Sequence, residues 1–237
     1  MAKRSNYLPK RTKQKIDDAV AVYQEAIPKI ETAAIGIVEQ LKVADDLGPC
    51  IHFIKHRVKD PSHLTEKLVR KTLAARTDGK DYEVDAKSLF SQITDLIGIR
   101  ILHLHTSQLP RMHLSLLQFF EDQRLTLVET PFAVCWDSEN REFYKSIGLD
   151  VRDDSSMYTS VHYVFELNQA AAYRCELQVR TVMDEVWGEV SHKVNYPSES
   201  PSSSCKDQLK VLARLTSGCV RLVDSIFESD RQARDTS

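Results

Sequence analysis

The sequence predicts an α/β fold of mixed (α+β) character: one central mixed β-sheet flanked by helices, with helical extensions at both ends. Three observations carry this. Residues 16–47 and 207–227 repeat apolar side chains at helical spacing. Residues 93–104 form a near-continuous apolar run, and residues 158–167 and 173–180 alternate with period two. Helices therefore bracket a mixed strand–helix centre, which argues for one central sheet. At 237 residues, one medium domain with extensions is the natural size. The expected division is a helical extension over 1–47, a central domain over 48–200, and a C-terminal helix and tail over 201–237.

In order, residues 1–14 are polar and basic and are expected to fray. Ala19, Val22, Tyr23, Ala26 and Ile30, then Ala33, Ala34, Ile37, Val38 and Leu41, mark a long helix that Pro28 kinks or divides. Gly48-Pro49 ends it. Residues 50–59 suggest a short strand, and Asp60-Pro61-Ser62 starts a helix through about residue 75. Residues 76–87 read as a polar loop. The run Ile-Thr-Asp-Leu-Ile-Gly-Ile-Arg-Ile-Leu-His-Leu over 93–104 reads as a central strand covered on both faces. Residues 109–120 read as a helix with Leu114, Leu116, Leu117 and Phe120 inside, and 125–131 and 132–136 as further strands. Residues 137–156 read as irregular. The strands over 158–167 and 173–180 form a hairpin turning at 168–171. Val182, Val186, Val190 and Val194 recur every four residues beside Trp187, so a helix follows, with Thr181 able to cap it. After a Ser/Pro-rich linker, Leu209, Leu212, Leu215, Val220, Leu222 and Val223 mark the last amphipathic helix, and the tail from Ser229 is polar.

A net charge of −2 provides no whole-molecule field for nucleic acid or anionic membrane. Phosphate binding must then come from local basic clusters. Cys50, Cys135, Cys175, Cys205 and Cys219 are scattered without a C-x-x-C pair. They read as reduced thiols rather than a disulfide framework or zinc site. No apolar run approaches a membrane span, and the basic N-terminus lacks a signal-peptide core. The expectation is a cytoplasmic enzyme or binding protein with no membrane partner.

Four stretches carry chemistry. In 173–180, Cys175, Leu177 and Val179 fall on one side and Glu176, Gln178 and Arg180 on the other. That polar side presents a metal-ligand type, a neutral hydrogen-bonder and an anion-binding fork, or else it is the solvent face of an edge strand. Arg57, Lys59 and Lys67, with Lys55, Arg70 and Lys71 nearby, form either a polyphosphate cradle or a solvated basic face. Asp95 heads an apolar strand with Gly98 and Arg100 following. A carboxylate there needs a partner, as a turn cap, in an ion pair with Arg100, or at a metal. Tyr158, Ser160 and His162 share a face suited to stacking on a base, or to solvent. Asp95 and Glu176 together could hold Mg²⁺, which takes one or two carboxylates plus phosphate oxygens and water. With the basic cradle, this is equipment for phosphoryl or pyrophosphoryl transfer.

The ordered set Arg57-Val-Lys-Asp-Pro-Ser-His-Leu-Thr-Glu-Lys67, Asp95-Leu-Ile-Gly-Ile-Arg100, Tyr158-Thr-Ser-Val-His162 and Glu176-Leu-Gln-Val-Arg-Thr181, followed by Trp187, Glu189, His192 and Tyr196, resembles the synthetase domain of the RelA/SpoT family. The resemblance covers about residues 45–200. It implies a nucleotidyltransferase-like fold and a Mg²⁺-dependent pyrophosphokinase that moves the β,γ-pyrophosphate of ATP to the 3′-hydroxyl of GDP or GTP, making (p)ppGpp. It implies that Arg57, Lys59 and Lys67 bind ATP phosphates, with Arg100 completing the donor side. It implies that Asp95 ligates magnesium and that Glu176 helps with the metal and activates the hydroxyl. Tyr158 would stack on the acceptor base, with His162, Gln178 and Arg180 completing that side. The family's glycine before the stacking tyrosine is replaced by Ser155-Ser156-Met157 after Asp153-Asp154, and its basic-motif serine falls one place early, at Ser62, with His63 in its place. The acceptor is thus open between GDP or GTP, an adenosine nucleotide and the 3′ end of tRNA. The tRNA and adenosine readings are toxin-like, and any antitoxin would be a separate protein. A third reading is a catalytically silent nucleotide-binding module. The chain contains no His-Asp dipeptide, which argues against a metal-dependent alarmone hydrolase domain. It resembles a small stand-alone synthetase, and the terminal helices are candidate homo-oligomer interfaces.

Overall fold

A computed structural model of the chain describes residues 8–153, 156–167, 173–195 and 199–236. Helix α1 spans Lys10–Val43. Strand β1 (Phe53–Val58) and helix α2 (Pro61–Thr77) follow. A short helix α3 (Leu89–Gln92) precedes β2 (Ile97–His103). Next come α4 (Leu109–Asp122), β3 (Thr126–Leu127), β4 (Phe132–Val134), α5 (Ser138–Ser146) and β5 (Asp150–Arg152). The chain continues through β6 (Ser160–Glu166), β7 (Arg174–Thr181), α6 (Val182–Asn195) and α7 (Ser203–Asp235).

Among the described residues these strands make one seven-stranded mixed sheet, ordered β1-β2-β7-β6-β4-β5, with β3 also on β6. β2 and β7 are parallel; β1/β2 and β6/β7 are antiparallel. The register places Arg100, Gln178 and His162 in one row across β2, β7 and β6, and Gly98 and Glu176 in the next. Because side chains alternate across a strand, the sheet has two unlike faces. Ile97, Ile99, Ile101, Leu177, Val179, Tyr163 and Phe165 are buried and join the core formed with α1, α2 and α4. Gly98, Arg100, Glu176, Gln178, Arg180 and His162 point to the other face, beneath α6.

Helix α1 is part of that core, through Ile16, Ala19, Tyr23, Ile30, Ala34 and Leu41. The Tyr23 hydroxyl donates to the Lys59 carbonyl, pinning the end of β1. The helix starts earlier than its apolar stripe and runs through Pro28 unbroken, with buried side chains from Ile16 to Leu41 holding both halves to the core. Three other expectations are corrected. The stretch expected to be irregular contains α5 and β5: Asp137 accepts from Glu139 N at 2.9 Å and caps α5. Leu114 is exposed, since α4 turns Met112, His113, Leu116 and Phe120 inward instead. On α6, Val186 and Val190 are exposed while Glu185 and Trp187 are buried; the helix lies over the polar face of the sheet, so its inner side is charged. Thr181 does cap α6: its Oγ1 accepts from Asp184 N at 3.1 Å and donates to Asp184 Oδ2 at 2.6 Å. The expected hairpin turn at 168–171 lies outside the described residues. No helix among them is long and apolar enough to cross a membrane.

Candidate active site

A cleft of about 200 Å³ opens on the polar face. Lys55, Arg57, Gly98 and Arg100 line it from β1 and β2, Glu176 and Gln178 from β7, Asp95 from the turn before β2, and Glu189 and His192 from α6. A larger hollow of about 700 Å³ lies against α1, with Lys29 as its one charged lining residue. The chemistry belongs to the smaller cleft, where ionisable groups of both signs converge.

At one end Asp95 is held between two lysines. Lys59 Nζ lies 2.7 Å from Oδ2, and Lys67 Nζ lies 2.6 Å from Oδ1. Lys59 comes from the end of β1 and Lys67 from α2, whose N-terminus is capped by the Asp60 side chain. Ser62 is engaged in that cap: its N–H and hydroxyl both donate to Asp60 Oδ1, at 2.8 and 2.5 Å. Burial alone would raise the Asp95 carboxyl, but Lys67 and Lys59 hold it below the ordinary carboxylate range. Asp95 is not paired with Arg100. Arg57 lies across β2, where a Cβ on Gly98 would stand 3.4 Å from its Cγ and Nε.

In the middle, Glu176 accepts from His162 Nδ1 at 2.9 Å and from Gln178 Nε2 at 3.2 Å. Burial pushes its carboxyl up, yet the His162 hydrogen bond and charge outweigh this and keep it low. His162 is buried, stacks on Phe132 with centroids 5.0 Å apart, and has no partner for Nε2. It orients Glu176 rather than lying open at the surface.

At the far end, Arg180 Nη2 donates to Tyr158 Oη at 2.9 Å and to Gln178 Oε1 at 2.5 Å. Its Cζ sits 5.0 Å from the Tyr158 ring centroid. Burial raises the Tyr158 phenol above its ordinary value although Arg180 opposes the shift. Asp153, which precedes this loop, pairs with Arg141 at 2.6 Å, so its charge is offset. Asp154 and Ser155 lie outside the described residues.

Sequence reasoning did not single out Glu185 and gave no role to Glu189, the carboxylates that bind these parts together. Glu185 lies 2.5 Å from Lys55 Nζ, 3.1 Å from Arg100 Nη1 and 3.1 Å from Arg180 Nη1. Glu189 pairs with Arg100 at 2.6 Å and Lys55 at 3.2 Å. Against a burial effect that would raise it, those cations pull the Glu189 carboxyl down to about 2. Burial works against charge on Arg100 too, and Glu185 and Glu189 more than restore it. The available signal was the polar spacing of Glu185, Glu189 and His192 at i, i+4 and i+7, a helical face overshadowed by the valine stripe.

The ten residues expected in the site thus adjoin one sheet face. Lys59 and Lys67 meet at Asp95, Arg100 and Arg180 at Gln178, and His162 at Glu176. Among the described residues no group of three or more His, Cys, Asp or Glu is arranged to hold a metal ion. The cleft instead offers two hard carboxylate donors, Asp95 and Glu176, which suit an ion completed by substrate phosphates and water.

The model of the region found in RelA/SpoT proteins matches residues 56–201, more than half of the chain. The chain is 24% identical over 195 residues to GTP pyrophosphokinase YwaC of Bacillus subtilis (strain 168), covering 82% of this chain and 81% of that one. It superposes on a GTP pyrophosphokinase family protein from Streptococcus pneumoniae with a TM-score of 0.59 and 18% identity, over 97% and 99% of the two chains. Small alarmone synthetase 1 from B. subtilis, bound to its product pppGpp, gives a TM-score of 0.57 at 19% identity over 90% and 96%. These structural likenesses show the fold, and the sequence match shows the kinship: the chain belongs to the RelA/SpoT family.

Proposed function

We propose that this chain is a (p)ppGpp synthetase, a pyrophosphokinase that transfers the β,γ-pyrophosphate of ATP to the 3′-hydroxyl of GDP or GTP. The observation that carries the reading is the convergence of Asp95 and Glu176 on one cleft, between paired lysines and an arginine-backed tyrosine. The naming of YwaC as a GTP pyrophosphokinase, and of pppGpp as the product of small alarmone synthetase 1, supports it.

Lys59, Lys67 and Arg57 bind the donor phosphates, and the acceptor base stacks on Tyr158. Glu176, kept ionised and oriented by His162 and Gln178, takes the proton from the 3′-hydroxyl. The hydroxyl oxygen forms a bond to the β-phosphorus of ATP. The bond from that phosphorus to the α,β-bridging oxygen breaks, and AMP leaves. Arg100, fixed by Glu185 and Glu189, holds Gln178 through its Nε at 3.2 Å. Mg²⁺, when bound, would be held by Asp95 and Glu176 and would neutralise charge on the transferring phosphates.

The test is to incubate the protein with ATP labelled in the β-phosphate, Mg²⁺ and, separately, GDP, GTP, ATP and deacylated tRNA. Label is expected on GDP and GTP. Label moving only to tRNA or to ATP would reject the guanosine acceptor, and no transfer at all would support the silent module.

A further inference from the structure

Midway along α6 stands a glycine where alanine would serve the helix better, by about 1 kcal/mol. Gly188 is not among the positive-φ residues, so no turn requires it. What its missing side chain admits is Arg180. A Cβ at position 188 would lie 2.6 Å from Arg180 Nη1. The tip of a long side chain usually moves aside at little cost, but this one is held. Its side chain is 2% exposed, Nη2 is bonded to Tyr158 and Gln178, and Nη1 lies 3.1 Å from Glu185 Oε2. Glu185 and Gly188 are three residues apart, hence on one face of α6. Together they make a counter-charge and a gap of the right size.

We propose that Glu185 and Gly188 form a socket on α6 that seats the Arg180 guanidinium behind Tyr158, and that this seat sets affinity for the acceptor nucleotide. The affinity claim rests on the reading of Tyr158 as the acceptor's stacking platform. A platform whose hydroxyl and ring are already fixed loses less side-chain freedom when a base stacks on it. Glu185 and Gly188 are positioning residues, and they act through Arg180. If Gly188 served only close packing of α6 on the sheet, Gly188→Ala would weaken both nucleotides alike.

The experiment uses the full chain labelled with fluorotyrosine, its Tyr158 resonance assigned by loss of the signal in Tyr158→Phe. Gly188→Ala is expected to move that resonance in the wild-type background and not in the Arg180→Ala background, as two changes acting through one group should. An unmoved resonance overturns the socket. Equilibrium dialysis then measures GDP and a non-hydrolysable ATP analogue. The GDP Kd should rise at least about tenfold, while the analogue changes by less than about twofold. Equal weakening of both nucleotides, or an unchanged GDP Kd, overturns the affinity claim. Failure of GDP to bind the wild-type protein overturns the acceptor reading together with the affinity claim, while the resonance still decides the socket. Should Gly188→Ala not fold, Glu185→Gln keeps the shape, removes the counter-charge, and is expected to move the same resonance and weaken GDP.

Discussion

Replacing Asp95 with Asn removes a negative charge from between two ammonium groups. Lys59 and Lys67 stand 2.7 and 2.6 Å from its two oxygens. The three side chains are 12%, 18% and 17% exposed for Lys59, Lys67 and Asp95, so water cannot fully take the carboxylate's place. The asparagine oxygen can accept from one lysine, but its amide turns donors toward the other. Removing one partner of a fully buried pair costs about 3–5 kcal/mol, and the partial exposure here puts the loss at about 2–3 kcal/mol. For a chain of this size that corresponds to a fall of roughly 4–12 °C in melting temperature. The freed lysines should then hold polyphosphate more readily, since in the wild type a polyphosphate must compete with Asp95. Inorganic tripolyphosphate in EDTA is the probe, read by thermal melts at matched concentrations, because ligand bound only to the folded state raises its stability. Tripolyphosphate should raise the melting temperature of Asp95→Asn by more than that of the wild type. An unchanged melting temperature on substitution, or equal rises in both proteins, would refute the idea that Asp95 and phosphate share these lysines.

Further expectations concern the base, the C-terminal helix and pH. Glu176→Gln keeps the side-chain shape and should lower kcat by about 10²–10⁴-fold with an unchanged circular dichroism spectrum; near-normal turnover would remove Glu176 from proton transfer. Trp187 Nε1 donates to the Leu209 carbonyl at 2.9 Å and ties α6 to α7. Trp187→Phe should therefore destabilise the chain by about 1–3 kcal/mol in denaturant melts and speed amide exchange in α7; unchanged exchange would show that the tie does not hold α7. Buried His103 is pushed by desolvation down to about 4 from an ordinary 6.5. With the folded value depressed, its neutral form favours folding above pH 6.5, and this contribution is lost as pH falls toward 4. The full effect is about 3 kcal/mol. His103→Asn, which retains a donor for the His105 carbonyl, should gain on the wild type by up to that amount between pH 7 and pH 4; a pH-independent difference between the two proteins would contradict the burial argument.

Much of the site could be read from the chain because its signals are local. The alternation of Cys175, Leu177 and Val179 with Glu176, Gln178 and Arg180 is a property of eight residues, and the strand turns them as expected. The helix after it was announced by Thr181 and the stripe that follows. Which side of that helix faces inward was not, because hydrophobic spacing assumes an apolar surface beneath. The surface under α6 is the charged row of the sheet, so Glu185 goes in and Val186 and Val190 stay out.

The sequence by itself determined the residue types, their order and the two-faced strands, since period-two alternation depends only on neighbours in the chain. Only the tertiary structure decided how the charges pair. Asp95 could have been a turn cap or a partner for Arg100, and the fold gave it Lys59 and Lys67 from 36 and 28 residues away. Arg100 found its carboxylates 85 and 89 residues along the chain, on α6. Ion pairs form where strand register and helix docking bring charges within a few ångströms, and neither distance is encoded in any short stretch of sequence.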